Sequence, residues 1–413
     1  MKRVSLSLLI IAMAFALVVS AGAANPVTIT YWTFFAGGDA EYMEDLIAGF
    51  NEAQDEVYVE EEVIPWGEYY TRLTAAIAGG NAPDIGIFHV THLPSFVQRN
   101  VFLDLDDYLD AVDFPVDDFN PVIWEAVQLD GSVYAIPIDT HPEVFYYNTD
   151  LFEAVGWVEN DTVRIPQTPD ELVEFGQAIK DYDDNLVPYA LDTTGGGVYR
   201  IWLGLMSQLG GRLLEDDHRT PAMNSPEGYE ALDLLKTLIV DHDFGEVGTS
   251  AQLLFREQDA AVQVGGVWNT GVHEQQEGLN FAATMVPPIF GANANWANSH
   301  AIVIPMQRGG MDDEKVYASL TFLDWLTEHG ADWARAGHIP PRMSVLESEE
   351  FTGQPYRPAY AEAAEYAVFL PPTTEPSELE TALNETIEAV YHEQLTVQEA
   401  LDQMEAAVRN ILR

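Results

Sequence analysis

The stretch Tyr134–Asn148, YAIPIDTHPEVFYYN, decides the fold. It starts as a strand, with apolar residues at Tyr134, Ile136 and Ile138. Pro137 and Pro142 interrupt it, and a second extended run, Val144–Tyr147, follows. Proline has no N–H to give to a ladder, so the stretch is not one central strand. It is a crossover, where the backbone leaves one sheet and enters another. Polar Asp139, Thr140 and His141 sit at the break. This predicts one strand of a hinge between two lobes that close on a small polar ligand.

Upstream, strands alternate with helices. Val27–Trp32, VTITYW, alternates as a buried strand, and Phe34–Asp39 is a turn with Asp39 as the expected N-cap. The helix that follows places Tyr42, Met43, Leu46, Ile47 and Phe50 on one face. Val57–Ile64 is a second strand, Trp66–Ala78 a second helix ended by Gly79-Gly80, and Asp84–Phe88 a third strand. That order implies parallel strands in an α/β lobe, with ligands outside the strands' carboxyl ends, here Thr33–Phe35 and His89–His92.

Downstream, the pattern restarts. Thr168-Pro169-Asp170-Glu171 is a well-formed helix start, and Val198–Leu209 and Pro226–Val240 are amphipathic. Ala260–Val264 is a strand followed by Gly265-Gly266 and Trp268. Pro287-Pro288 and Ile339-Pro340-Pro341 are two further breaks, and the helices Glu378–Tyr391 and Val397–Ile411 close the chain. Three breaks predict three passages between lobes, so each lobe is discontinuous. One is expected from 26–138 with 289–338, the other from 139–288 with 339–413.

The first residues are expected to lie outside both lobes. Lys2 and Arg3 precede an apolar run, Val4–Val19, and Ser20-Ala21-Gly22-Ala23 offers a small-residue cleavage site. Residues 1–23 therefore match a secretory signal peptide. No Cys follows, so no lipid anchor is expected, and the mature chain is expected to be exported to the periplasm. Without Lys2 and Arg3 the 18 basic residues fall to 16 against 67 acidic ones, a net of −51. That charge repels nucleic acid and anionic membrane surfaces, and suits a solvated acidic surface in high salt.

Catalytic motifs are missing. The sequence has no Cys nucleophile, no G-x-S-x-G, no H-E-x-x-H, no P-loop and no G-x-G-x-x-G. Gly195-Gly196-Gly197 lacks the Lys and Ser/Thr of a phosphate cradle and suits a loop lining a cleft. His89 and His92 are spaced i, i+3, but no third zinc ligand is marked, so neither metal nor cofactor is expected. Carboxylates are so numerous that no glycosidase pair stands out. Aromatic residues carry more information. Trp32, Phe34, Phe35, Trp66, Tyr199, Trp202, Trp268 and Trp296 fall near strand ends or in loops. Sugars offer apolar C–H faces to rings and hydroxyls to Asp, Asn, His and Thr. Core packing is the expected role of Trp32, Trp66 and Trp202, whereas Trp268 follows Gly-Gly and is free to face a ligand.

Taken together, these pieces resemble bacterial extracellular solute-binding proteins of family 1, the sugar-type ABC importer class that includes maltose-binding protein. The resemblance runs from Ile29 to about Met343. It rests on FNEAQDEVYVEEEVIPWGEYYTRLTAAIAGGNAPDI (50–85), YAIPIDTHPEVFYYNTDLFEAVGW (134–157), PQTPDELVEFGQAI (166–179), AAVQVGGVW (260–268) and GHIPPR (337–342), in that order and spacing. It implies an α/β, two-lobed type II periplasmic-binding fold with a three-segment hinge. It also implies a non-enzymatic monomer that catches a sugar or oligosaccharide and hands it to the membrane permease of an ABC transporter. Carried over position by position, the ligand-binding residues would be Phe34, Phe35, His89, Thr91, Asp139, Thr140, Tyr199, Gly266, Trp268, Asn298 and Arg342. His89 and His92 stand where family members vary, so the ligand's identity does not transfer. Two other readings stay open. One is a metal or cationic-solute binder, suggested by Tyr146-Tyr147, which resembles the paired tyrosines of ferric-ion binders. The other is a periplasmic carbohydrate-active enzyme.

Overall fold

The computed structural model describes residues 25–36, 38–160 and 162–413. The expected leader, residues 1–23, lies outside them. Strand β1 (Val27–Thr33) alternates as its sequence requires, burying Ile29, Tyr31 and Thr33. Helix α1 (Gly38–Ala53) buries Met43, Leu46, Ile47 and Phe50, the face set by its helical spacing. Asp39 is not its cap: the helix begins one residue earlier, and Asp39 lies in the first turn. Strand β2 (Val57–Val63) and helix α2 (Trp66–Gly79) follow. Gly80 ends α2 in the left-handed conformation, φ 77°, its N–H donating to the Ile77 carbonyl.

Strand β3 (Ile85–His89) completes the early unit. β1 pairs in parallel with both β2 and β3. Asp84 locks this arrangement. Its Oδ2 accepts from the Thr30 N–H and hydroxyl at 2.8 and 3.0 Å, and Lys315 Nζ donates to the same carboxylate at 2.9 Å. Two later strands finish the sheet. β4 (Ala135–Pro137) and a strand at His300–Val303 make its order β2-β1-β3-(300–303)-β4, the last two joining antiparallel.

The second sheet is built on β5 (His141–Asn148), buried except at Tyr147. β6 (Val187–Ala190) pairs in parallel with β7 (Ala260–Gly266), and β7 pairs antiparallel with β5. On its other side β5 receives β8 (Phe281–Met285) and then β9 (Asn295–Asn298), both antiparallel. The strand at His300–Val303, β10, begins two residues after β9 ends. A short strand, β11 (Ala367–Val368), flanks β9. Pro142 is tolerated in β5 because the β7 ladder reaches only to Glu143.

Each sheet carries its own core. The first lobe packs Tyr31, Phe50, Phe88, Ile136, Ile302 and Phe322 together. The second packs Phe145, Phe175, Trp202, Met206 and Trp296. It includes the faces of two closing helices, where Leu383 and Ile387 meet Leu401 and Met404. A third cluster, with Ile123, Val144, Tyr146, Ile339 and Tyr360, fills the junction.

The opening stretch is a crossing, as its prolines require: β4 lies in the first sheet and β5 in the second. The second crossing is not at Pro287-Pro288. Those prolines stop β8 and start an excursion that stays with the second lobe, because Gln208 Nε2 holds the carbonyls of Pro287 and Ala294 at 3.0 and 3.3 Å. Ile289 joins the second core, and β9 returns along β5. The passage is the single residue Ser299, between β9 and β10. The third crossing meets the first directly, with Thr140 and Ile339 exchanging backbone hydrogen bonds of 2.8 and 3.0 Å. Past Ile339 the chain does not pass straight into the second lobe. Arg342 still packs against Phe119 of the first core.

Candidate functional site

A cavity of about 420 Å³ opens between the lobes, at the carboxyl ends of β1 and β3. The first lobe contributes Phe34, Phe35, Asp39, Trp66, His89 and Thr91. The second contributes His141, Arg200, Trp268, Trp296 and Glu380. Asn298, His300 and His338 come from the crossings.

On the first-lobe wall Phe34 is the centre of an aromatic patch. Trp66 meets it edge-on at 4.8 Å and His89 stacks on it at 5.1 Å and 9°. Trp66 opens α2 and is 53% exposed, so it is not a core residue. His89 is fixed by Tyr70, whose hydroxyl lies 3.0 Å from Nδ1. Asn298 Nδ2 donates to Thr91 Oγ1 at 3.1 Å and so ties a crossing to the β3 end.

Arg200 governs the opposite wall. It sits in the first turn of helix α3 (Val198–Gln208), with its guanidinium 4.4 Å from the Trp296 ring and 5.2 Å from Trp268. Its Nη1 donates to buried Glu143 at 3.3 Å. Burial pushes the Glu143 carboxyl up to about 7, with Arg200 pulling the other way. Tyr199 is behind this wall. Its hydroxyl donates to Glu380 at 3.2 Å and accepts from Trp296 Nε1 at 3.1 Å.

Beneath the cavity the three crossings bring Asp139, His141, His300 and His338 together, all buried. Asp139 Oδ1 accepts from His141 Nδ1 at 3.0 Å and the His300 N–H at 2.9 Å. Its Oδ2 accepts from His300 Nδ1 at 2.7 Å and Trp333 Nε1 at 2.8 Å. Burial opposes ionisation, but the surrounding His300, His338 and His141 hold the carboxyl well below the usual range. Among the described residues, this is the cluster whose ligating atoms converge, all within 4.8 Å of one another. Neither His89 nor His92 belongs to it.

Of the residues singled out from sequence, Phe34, Phe35, His89, Thr91, Trp268 and Asn298 line the cavity. Asp139 and Thr140 are buried below its floor, and Tyr199 stands behind its wall. Gly266 backs the Trp268 ring. Arg342 is elsewhere. Its guanidinium holds Asp324 and Thr327 of the helix at Asp313–Glu328 and packs on Phe119. Trp202 is core, with its indole N–H on the Gly228 carbonyl at 2.9 Å. Tyr146 and Tyr147 point to opposite faces of β5 and cannot share an ion. Tyr146 bonds Thr270 at 2.8 Å inside the junction cluster, and Tyr147 lies against the second core. Arg200, Glu380, His141, His300 and His338 line the cavity without being among the expected ligand-binding residues, and Trp296 was noted only as one of the loop aromatics. Of these, His141 and His338 had a local signal as polar residues beside proline breaks, and Trp296 had one as a loop aromatic, whereas His300 had none.

Two α/β lobes joined by three crossings, with a ring-lined cavity between them, define a two-lobed type II solute-binding protein. The chain belongs to the family of bacterial extracellular solute-binding proteins, whose model matches residues 45–359. It is similar to a binding protein of Brucella abortus, 24% identical over 308 residues, 69% of either chain. It is also similar to a mannitol-binding protein of Pseudomonas aeruginosa, 24% identical over 62% of this chain and 58% of that one. Among solved structures, the cyclic alpha-maltosyl-1,6-maltose binding protein of Arthrobacter globiformis superposes with a TM-score of 0.79. The two are 25% identical, covering 94% of this chain and 99% of that one. No helix among the described residues is long and apolar enough to cross a membrane.

Proposed function

We propose that the chain is the extracytoplasmic substrate-binding component of an ABC importer, and that it takes a sugar, polyol or oligosaccharide into the interlobe cavity. The observation that carries this reading is the pair of aromatic walls. Phe34 and Trp66 belong to one lobe and Trp268 and Trp296 to the other, across a space of about 420 Å³. That volume falls within the range of small-molecule sites. Rings meet the C–H faces of a sugar, while Asp39, Thr91, Asn298 and Glu380 serve its hydroxyls. The relatives named for mannitol and for a cyclic maltosyl-maltose support the same ligand class.

Capture is a lobe closure. The ligand gains its second set of contacts only when both walls meet it, and that differential contact shifts the population toward the closed form. Export by the leader, a monomeric state in the periplasm and delivery to a permease complete the reading. The experiment is a titration of the leader-free protein with a panel of sugars, polyols and oligosaccharides, followed by tryptophan fluorescence and melting temperature. At least one should shift both. If none shifts either, the ligand class is wrong.

A further inference from the structure

We infer that Asp139, His141, His300 and His338 form a binding site for a divalent transition-metal ion at the floor of the cavity, tying the three crossings together. This goes beyond sugar capture, and neither reading requires the other.

The donor set is the first argument. Three imidazoles and one carboxylate suit zinc, cobalt or nickel, whereas calcium and magnesium want oxygen alone. The four ligating atoms lie within 4.8 Å of one another. A tetrahedral ion with bonds of about 2.1 Å spaces its ligands by roughly 3.4 Å, so side-chain rotation needs to close the widest gap by roughly 1.4 Å.

His338 supplies the second argument. It is 1% exposed, and neither Nδ1 nor Nε2 has a hydrogen-bond partner. Its Nδ1 faces Asp139 Oδ2 and its Nε2 faces Asp39 Oδ1, each at 3.5 Å. A buried imidazole whose two nitrogens have only these long contacts to carboxylates is under-satisfied. A metal bond would satisfy one of them. The ring is also held in a defined plane, stacked on Trp333 at 4.7 Å and 4°. Trp333 in turn donates to Asp139, so the carboxylate and the third imidazole are positioned by one indole.

Position is the third argument. Asp139 and His141 belong to the first crossing, His300 follows the second at Ser299, and His338 begins the third. All three histidines also line the cavity, which gives an ion its entry path.

The test uses leader-free protein stripped with a chelator. Zinc is titrated by calorimetry, and cobalt is added while its visible absorption is followed. One ion per chain, a tetrahedral cobalt spectrum and a raised melting temperature are expected. Affinity should fall by about tenfold or more in H338Q and in H141Q, and stay unchanged in H392Q, an exposed position. Circular dichroism checks that each variant folds. Wild type that takes up no stoichiometric zinc overturns the site, whatever the variants do. So does a cobalt spectrum like that of the hydrated ion, or equal uptake by H338Q and H141Q. A sugar response without zinc uptake sinks this inference alone, and zinc uptake without a sugar response sinks the other reading alone.

Discussion

A Cβ placed on Gly266 would lie 2.1 Å from Cη2 of Trp268, so the missing side chain is what lets the indole fold back over the end of β7. The backbone there, φ −66° and ψ 152°, is open to any residue, so the requirement is space rather than conformation. G266A should push the indole out of its place beside Arg200 and deform that wall of the cavity. Losing one ring contact of about 1 kcal/mol weakens ligand binding roughly fivefold. Calorimetry with the sugar found by the panel checks this, with an altered tryptophan spectrum as the companion readout. Unchanged affinity would remove Trp268 from the contacts.

Arg200 and Glu143 make a second test possible. Glu143 is 2% exposed, and its charged partner is Arg200, packed between two indoles. Removing one member of a buried pair leaves the other uncompensated, at a cost of about 3–5 kcal/mol, whereas removing both is far milder. That cost is read in full only above about pH 8, where the Glu143 carboxyl of wild type is ionised. R200M should therefore lower the denaturation midpoint strongly, and R200M/E143Q should recover most of it. Denaturant melts of the two single variants and the double close the cycle.

How much of this was legible in the sequence follows from the range of the interactions. β1, α1, β2, α2 and β3 fall within a residue or so of where alternation and helical spacing placed them, because each buries one face locally. The rule that ligands sit beyond parallel strand ends then pointed to Phe34, Phe35, His89 and Thr91, all on the cavity. β9 was illegible. NWAN has too few apolar residues to announce a strand, and it is one only because β5 offers it a free edge. With β9 unseen, the crossing at Ser299 had no marker, and the conspicuous Pro287-Pro288 took its place.

The second-lobe wall was hidden for a related reason. Arg200, Trp296 and Glu380 come from one helix, one strand and another helix that meet only in three dimensions. None of them has a local spacing that sets it apart from an ordinary helix or strand residue. The histidine cluster is likewise assembled from three crossings, so no i, i+3 or i, i+4 pattern could reveal it. The pair that did have such spacing, His89 and His92, does not converge with it.

His273 sets an acid limit on stability. It is buried among Tyr146, Phe255 and Phe281, with Nε2 2.7 Å from Gln263 Oε1 and no partner at Nδ1. Burial, reinforced by nearby Arg256, lowers its pKa to about 4. The fold thus prefers the neutral ring. Its contribution is complete above the unfolded value of about 6.5 and is lost as pH falls from there toward about 4. A drop of that size is worth roughly 3 kcal/mol. Between about pH 6 and 5, ahead of most carboxylates, H273Q should flatten the fall of stability by close to one proton, ~1.4 kcal/mol per pH unit. Denaturant melts across that window measure it, and equal slopes in both proteins would refute the assignment.

Arg342 separates stability from binding. Its Nε donates to Thr327 Oγ1 at 2.9 Å, and Nη2 donates to the Asp324 carbonyl at 2.9 Å and to the Asp324 carboxylate. These groups sit near the carboxyl end of the helix at Asp313–Glu328, where the last carbonyls lack helical partners and favour a cation. The guanidinium also packs on Phe119, 5.4 Å from the ring centre, and so pins the third crossing to the first lobe. Asp324 is half exposed, so water screens that pair, and the hydrogen bonds to Thr327 and the Asp324 carbonyl carry most of the effect. R342A should cost about 2 kcal/mol of stability. It should leave the dissociation constant for the sugar unchanged, because Arg342 is not among the cavity's lining residues. Thermal melts and calorimetry on the same preparation measure both quantities, and a variant of wild-type stability with weakened binding would put Arg342 back in the site.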